Sequence, residues 1–133
     1  MRYRSGYKYQ IHEECHLLTP VTGHNSEHPY ISLWTDGRLA IREGYAWDGP
    51  SGFVTVHTDN LMTPSLVHDA LYQLMREGLL PESRRLDVDL CLRGMCLKRG
   101  MWRIRAAYIY KAVRAFGVSA ASKGNTNPVL EAP

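Results

Sequence analysis

The sequence predicts an α+β domain, a small N-terminal antiparallel β-sheet followed by three helices. Two observations carry this expectation. The first half alternates apolar and polar residues in the strand period around turn-forming residues. The second half repeats its apolar residues at helical spacing, between proline and glycine boundaries.

The clearest β signal is Tyr30-Ile31-Ser32-Leu33-Trp34 and Arg38-Leu39-Ala40-Ile41-Arg42, joined by Thr35-Asp36-Gly37. Glycine there can take the positive φ that a tight hairpin needs. Residues 7–18 hold a further candidate strand, and His24 to His28 reads as a polar loop. Trp47-Asp48-Gly49-Pro50-Ser51-Gly52 cannot be regular structure and marks a defined loop. Residues 53–62 carry no clear period.

Thr63-Pro64 signals a helix start, an N-cap hydroxyl followed by proline at the first helical position. Leu66, Val67, Ala70, Leu71, Leu74 and Met75 share its apolar face, and Gly78 ends it. A second helix starts near Pro81-Glu82-Ser83 and ends by Gly100. A third spans about Met101 to Phe116, with the apolar stripe Met101, Ile104, Tyr108, Ala112 and Ala115 and a stop at Gly117. The expected organisation is a single domain over residues 1–117 and a flexible tail over residues 118–133, where Ser, Asn, Gly and Pro dominate.

The chain has 133 residues, 44% hydrophobic and 22% charged, enough for one core without staples. Three cysteines, Cys15, Cys91 and Cys96, are too few and too irregular for a disulfide scaffold, so they read as small core residues. No signal peptide or membrane-span-length apolar run is visible, so the expected location is the cytoplasm in which the protein is made. The net charge of +3 names no partner, but residues 93–114 hold seven basic residues and no acidic one. That run reads first as a solvated helix face and second as a contact for an anionic surface. Arg99, Arg103, Lys111 and Arg114, with Trp102 and Tyr110, suit a phospholipid interface or a nucleic acid backbone. A nucleic acid partner is not expected, because no nucleic-acid fold signature accompanies the charge.

The chemistry concentrates in Val67-His68-Asp69-Ala70-Leu71-Tyr72. His68 and Tyr72 are four apart and share a helix face. The short connection Gly78-Leu79-Leu80 makes the first two helices antiparallel neighbours, so His68 can meet Asp89 of the second helix. An imidazole oriented by a carboxylate can take a proton from water, which is the chemistry of hydrolysis. Asp69, pointing elsewhere, can ligate a hard cation such as calcium, with backbone carbonyls of the loop over residues 48–52 supplying further oxygens. The structural readings are that His68 is an ordinary core histidine and that Asp89 pairs with Arg84 or Arg85. His57 and Asp59, added to His68, Asp69 and Asp89, suggest a less favoured metal phosphohydrolase site. His12, His16, His24 and His28 read as solvated.

Four ordered motifs carry a resemblance. They are Gly44-Tyr45-x-x-Asp48-Gly49-Pro50-Ser51, Leu66-Val67-His68-Asp69-Ala70-Leu71-Tyr72, Arg85-Leu86-Asp87-Val88-Asp89, and Ile109-Tyr110-Lys111-Ala112-Val113-Arg114-Ala115-Phe116-Gly117. Together they resemble the phage and prophage family known as domain of unknown function 1353, over about residues 29–117. The resemblance implies a phage or prophage gene product, made in the host cytoplasm and compatible with a place in the virion. A more distant similarity joins His68-Asp69-x-x-Tyr72 and Asp89 to the microbial phospholipases A2. It implies a phospholipase A2-like helical pair, His68 as general base, Asp89 as the carboxylate that orients it and Tyr72 beside them. It also implies calcium held by Asp69, Asp48 and Gly49. The chain lacks the cysteine pairs of those enzymes. The second expectation is a non-enzymatic virion, tail-assembly or host-interaction protein, binding other phage proteins, in which the His-Asp-Asp cluster is structural.

Overall fold

The computed structural model describes residues 9–47 and 59–121. Among them, β1 (Tyr9–Gln10), β2 (Cys15–Leu18), β3 (Ser26–His28), β4 (Ile31–Leu33), β5 (Arg38–Ile41) and β6 (Ala46–Trp47) precede α1 (Asp59–Arg76), α2 (Arg85–Lys98) and α3 (Arg103–Ala121). The fold is α+β. Strands β2-β5-β4-β3 form an antiparallel sheet, and β1 pairs antiparallel with β6.

The hairpin forms as its alternation predicts, with Leu33 opposite Leu39 and Ile31 opposite Ile41. Gly37 closes it at a φ of 93°. A side chain at 37 would also strike the Thr19 carbonyl, which lies close because the Thr19 amide and hydroxyl both donate to the Gly37 carbonyl at 2.8 and 2.9 Å.

The segment read as a solvated loop is partly strand. Ser26 and His28 are buried on either side of exposed Glu27, and β3 pairs with β4. The Ser26 hydroxyl donates to the Leu79 carbonyl at 2.5 Å, tying this edge to the end of α1. His12 and His16 are exposed, as expected.

The helix boundaries shift. α1 begins at Asp59, and Pro64 lies inside it; proline there removes a single ladder hydrogen bond near the N-terminus. A 3-10 turn at Glu82–Arg84 leads into α2. α3 continues through Gly117 to Ala121, so residues 118–121 are helical and Ala121 is buried.

The main core joins Ile31, Leu33, Leu39, Ile41 and Tyr45 to Leu71, Leu74 and Met75 of α1. Each fully buried aliphatic side chain there contributes about 1.5–3 kcal/mol. A second cluster, Leu92, Cys96, Met101, Ala106, Ile109 and Val113, fixes α3 on α2. The inner face of α3 is therefore Ala106, Ile109 and Val113. The expected stripe is overturned at Ile104, Tyr108 and Ala115, which are exposed, while Met101 and Ala112 are buried. Both faces satisfy the helical period, and the smaller residues fit the close α2–α3 contact. Cys91 and Cys96 are free and buried, and burial pushes both thiols up to about 11. Among the described residues no helix is long and apolar enough to cross a membrane.

Candidate functional site

Asp89 is the centre of the site. It lies on α2 facing α1 and α3, with no exposed surface. Its carboxylate collects donors from all three helices. His68 Nε2 lies 2.8 Å from Oδ1, and the Tyr72 hydroxyl donates to the same oxygen at 2.6 Å. Arg114 Nη1 donates to Oδ2 at 2.9 Å, and Arg85 Nη1 reaches Oδ2 at 3.4 Å.

The positions follow from the helices. His68 and Tyr72 are one turn apart on α1, and their rings stack at 4.1 Å between centroids. Arg85 and Asp89 are one turn apart on α2. The same Arg85 nitrogen also donates to the Val113 carbonyl at 3.2 Å and the Arg114 carbonyl at 3.5 Å on α3.

Burial alone would raise the pKa of Asp89. The hydrogen bonds from His68, Tyr72 and Arg114 outweigh it and hold the carboxyl below its ordinary value. Burial and the bond to Asp89 push the Tyr72 hydroxyl up, so Tyr72 stays a protonated donor. An ionised carboxylate only accepts, so His68 Nε2 carries a hydrogen. In the neutral ring Nδ1 then holds the lone pair. Nδ1 takes no hydrogen bond from a described residue, and the His68 side chain is 12% exposed.

Asp69 is separate from this group. Its Oδ2 accepts the Tyr45 hydroxyl at 2.5 Å. Burial raises its pKa, against the opposing pull of Arg76 and Tyr45. Asp69 thus turns toward the sheet side of α1, as its position beside His68 requires. Asp48 and Gly49 lie outside the described residues, as do His57 and the side chain of Asp59. Calcium takes six to eight oxygens. Asp69 supplies at most two of them, and no other cluster among the described residues could hold a metal. The described donor set therefore does not by itself fit calcium.

The predicted trio His68, Tyr72 and Asp89 is brought together. Of the two arginines foreseen for Asp89, Arg85 contacts it and Arg84 pairs with Asp87 instead. The sequence reading missed three participants: Tyr45, Arg114 and Gly117. A β-carbon at 117 would overlap the Tyr72 hydroxyl and approach Arg85 Nη1 to 2.9 Å. Gly117 is there because Tyr72 and Arg85 occupy the space, not because the helix ends. Its signal was already present, since Arg114 and Gly117 fall three apart within the last ordered motif.

The fold and site together define an α+β protein with a buried His-Tyr-Asp-Arg cluster between three helices. Compared with known proteins, the chain finds no matching family model, curated protein or solved structure.

Proposed function

We propose that this chain is a hydrolase of phospholipid esters, encoded by a phage or prophage, with His68 as its general base. The observation that supports this reading best is the 2.8 Å contact of His68 Nε2 with Asp89, on a ring whose Nδ1 is left without a described partner. A water at Nδ1 would give its proton to the ring as its oxygen attacks the ester carbonyl. The imidazolium formed is stabilised by ionised Asp89. The same proton then passes to the departing alkoxide, the ester C–O bond breaks, and the ring returns to neutral. Tyr72 and Arg114 fix the carboxylate, and so fix which nitrogen faces the water. Calcium belongs to the reading as a ligand that Asp69 would share with Asp48 and Gly49, and no step above passes through it.

The test is fatty-acid release from phospholipid vesicles by the purified full chain, with and without calcium. Release is expected, and His68→Asn should abolish it without changing the thermal melt by more than a few degrees. Absence of release across lipid compositions and calcium concentrations overturns the reading.

One observation favours a second reading. Arg85 ties Asp89 to two backbone carbonyls of α3, which is what a structural staple does. The chain would then be a virion, tail-assembly or host-interaction component. His68→Ala would cost about 1–3 kcal/mol through the partner left unsatisfied, there would be no turnover to lose, and the protein would co-purify with particles.

A further inference from the structure

α3 has a second apolar face that the core does not use. Ile104 and Tyr108 are 86% and 60% exposed, one turn apart, and Trp102 just before the helix is 83% exposed. Isolated exposed apolar residues are ordinary, but a contiguous helical stripe marks an interaction surface. Lys111 continues the same stripe one turn on, and Arg99 and Arg103 flank it, all exposed. From these observations we infer that this face docks the protein on an anionic phospholipid bilayer, with Trp102, Ile104 and Tyr108 seated at the acyl boundary and the basic residues against the headgroups.

Three features select the bilayer over other occupants. The exposed charge beside the stripe has one sign: Arg99, Arg103 and Lys111 are exposed, and residues 93–114 hold no acidic residue, which complements an anionic surface and repels a second copy of the same face. Lys111 follows Tyr108 on the same face, at the end of the stripe. In a helix–helix seam that position would bury its ammonium, whereas at a bilayer the stem lies among lipid and the charge rises to the headgroups. Trp and Tyr beside Ile, rimmed by basic residues, is the composition of a helix lying in a bilayer interface. Exposure and charge alone define this surface, independently of hydrolysis. It is consistent with the proposed substrate, because Arg114, three residues on from Lys111, reaches Asp89 from the same helix.

The test is co-sedimentation of the full chain with vesicles of phosphatidylcholine containing phosphatidylglycerol, and with phosphatidylcholine alone. Binding is expected to the anionic vesicles, weakened by salt. Ile104→Ser with Tyr108→Ser, and separately Lys111→Glu, should each weaken it by about tenfold or more. These side chains are exposed, so the melting temperature should hold and a folding failure is readily recognised. Emission from Trp102, isolated by difference against Trp102→Phe, should shift to the blue on binding. His68→Asn should bind as the parent does even if it releases no fatty acid, which separates this inference from the hydrolase reading. It is overturned by absence of sedimentation with anionic vesicles at low salt. Binding indifferent to the Ile104 and Tyr108 substitutions overturns it too. So does a homodimer that those substitutions dissolve, or preferential binding to an acidic protein or to nucleic acid.

Discussion

Two aspartates on neighbouring elements of this fold are held in opposite ways. Asp89, between the helices, receives His68, Tyr72, Arg114 and Arg85, and its carboxyl is stabilised as the anion. Asp69, on the sheet side of α1, has the Tyr45 hydroxyl and the more distant charge of Arg76, and burial disfavours its anion. Pairs of titratable groups driven apart by their surroundings are a mark of acid–base sites. Here the contrast assigns roles. Asp89 is saturated and can only anchor. Asp69 retains electrostatic demand that a proton or a cation would meet.

Removing the anchor should have the largest effect. Asp89→Ala leaves two guanidinium groups, a tyrosine hydroxyl and a histidine facing an apolar methyl. Breaking a buried ion pair from one side costs about 3–5 kcal/mol. Urea denaturation should show a loss of that order, and a loss under about 1 kcal/mol would mean that water already serves these donors.

The next effect comes from α3. Gly117→Ala places a β-carbon on the Tyr72 hydroxyl. Overpacking of this kind costs about 1–3 kcal/mol. Gly94, inside α2, has open space around its Cα. Gly94→Ala should therefore gain about 0.5–1 kcal/mol from helix propensity alone. Opposite signs from the same substitution in two helical glycines would establish that Gly117 serves the site and not the chain's flexibility.

These two positions show what the sequence could and could not tell. His68, Tyr72 and Asp89 were legible, because helical spacing puts the first two on one face and a short connection brings the third opposite. The hairpin was legible because Ile31-Ser32-Leu33 and Leu39-Ala40-Ile41 alternate about a glycine turn. The contribution of α3 was not. Its two apolar faces, Ile104-Tyr108-Ala115 and Ala106-Ile109-Val113, obey the same period, and the larger residues suggested the wrong one. Which face is buried depends on the surface α2 offers, a long-range property that periodicity does not contain. Gly117 was read by its local habit as a helix stop, whereas a contact from α1 determines it. His28 was misplaced for a similar reason: its burial comes from the β3–β4 pairing and not from its loop-like neighbours.

Asp69 offers a subtler substitution. Asp69→Asn keeps an oxygen for the Tyr45 hydroxyl and removes the buried charge. A group whose folded pKa is raised contributes its stability below the unfolded value, here 3.8, and loses it as pH rises through the folded value. At neutral pH the parent protein is past that loss, so Asp69→Asn should be more stable by about 1 kcal/mol. The advantage should vanish below pH 3.8. Asp89→Asn should do the reverse: the lowered pKa of Asp89 stabilises above 3.8, and that stability is lost as pH falls through the folded value. If Asp69 is kept at this cost for calcium, the stabilised variant should also lose any calcium-induced shift in melting temperature, the trade expected where function holds a destabilising group.

The smallest effect tests whether the sheet side is deficient in partners beyond Asp69. His28 Nδ1 accepts the Tyr30 amide at 3.1 Å, so the ring hydrogen sits on Nε2, and that atom is buried without a partner among the described residues. Burial lowers the pKa of His28, with Glu77 opposing. Protonation would turn Nδ1 into a donor aimed at another donor. Stability from this group is therefore present above the unfolded value of 6.5 and is lost as pH falls through the folded value. Denaturation midpoints should drop as pH falls below 6.5, and His28→Asn should flatten that part of the profile. A profile unchanged by the substitution would leave Asp69 as the group at the described helix–sheet contact whose carboxylate charge the fold resists. The deficiency would then be local to the carboxylate and not a property of the helix–sheet interface.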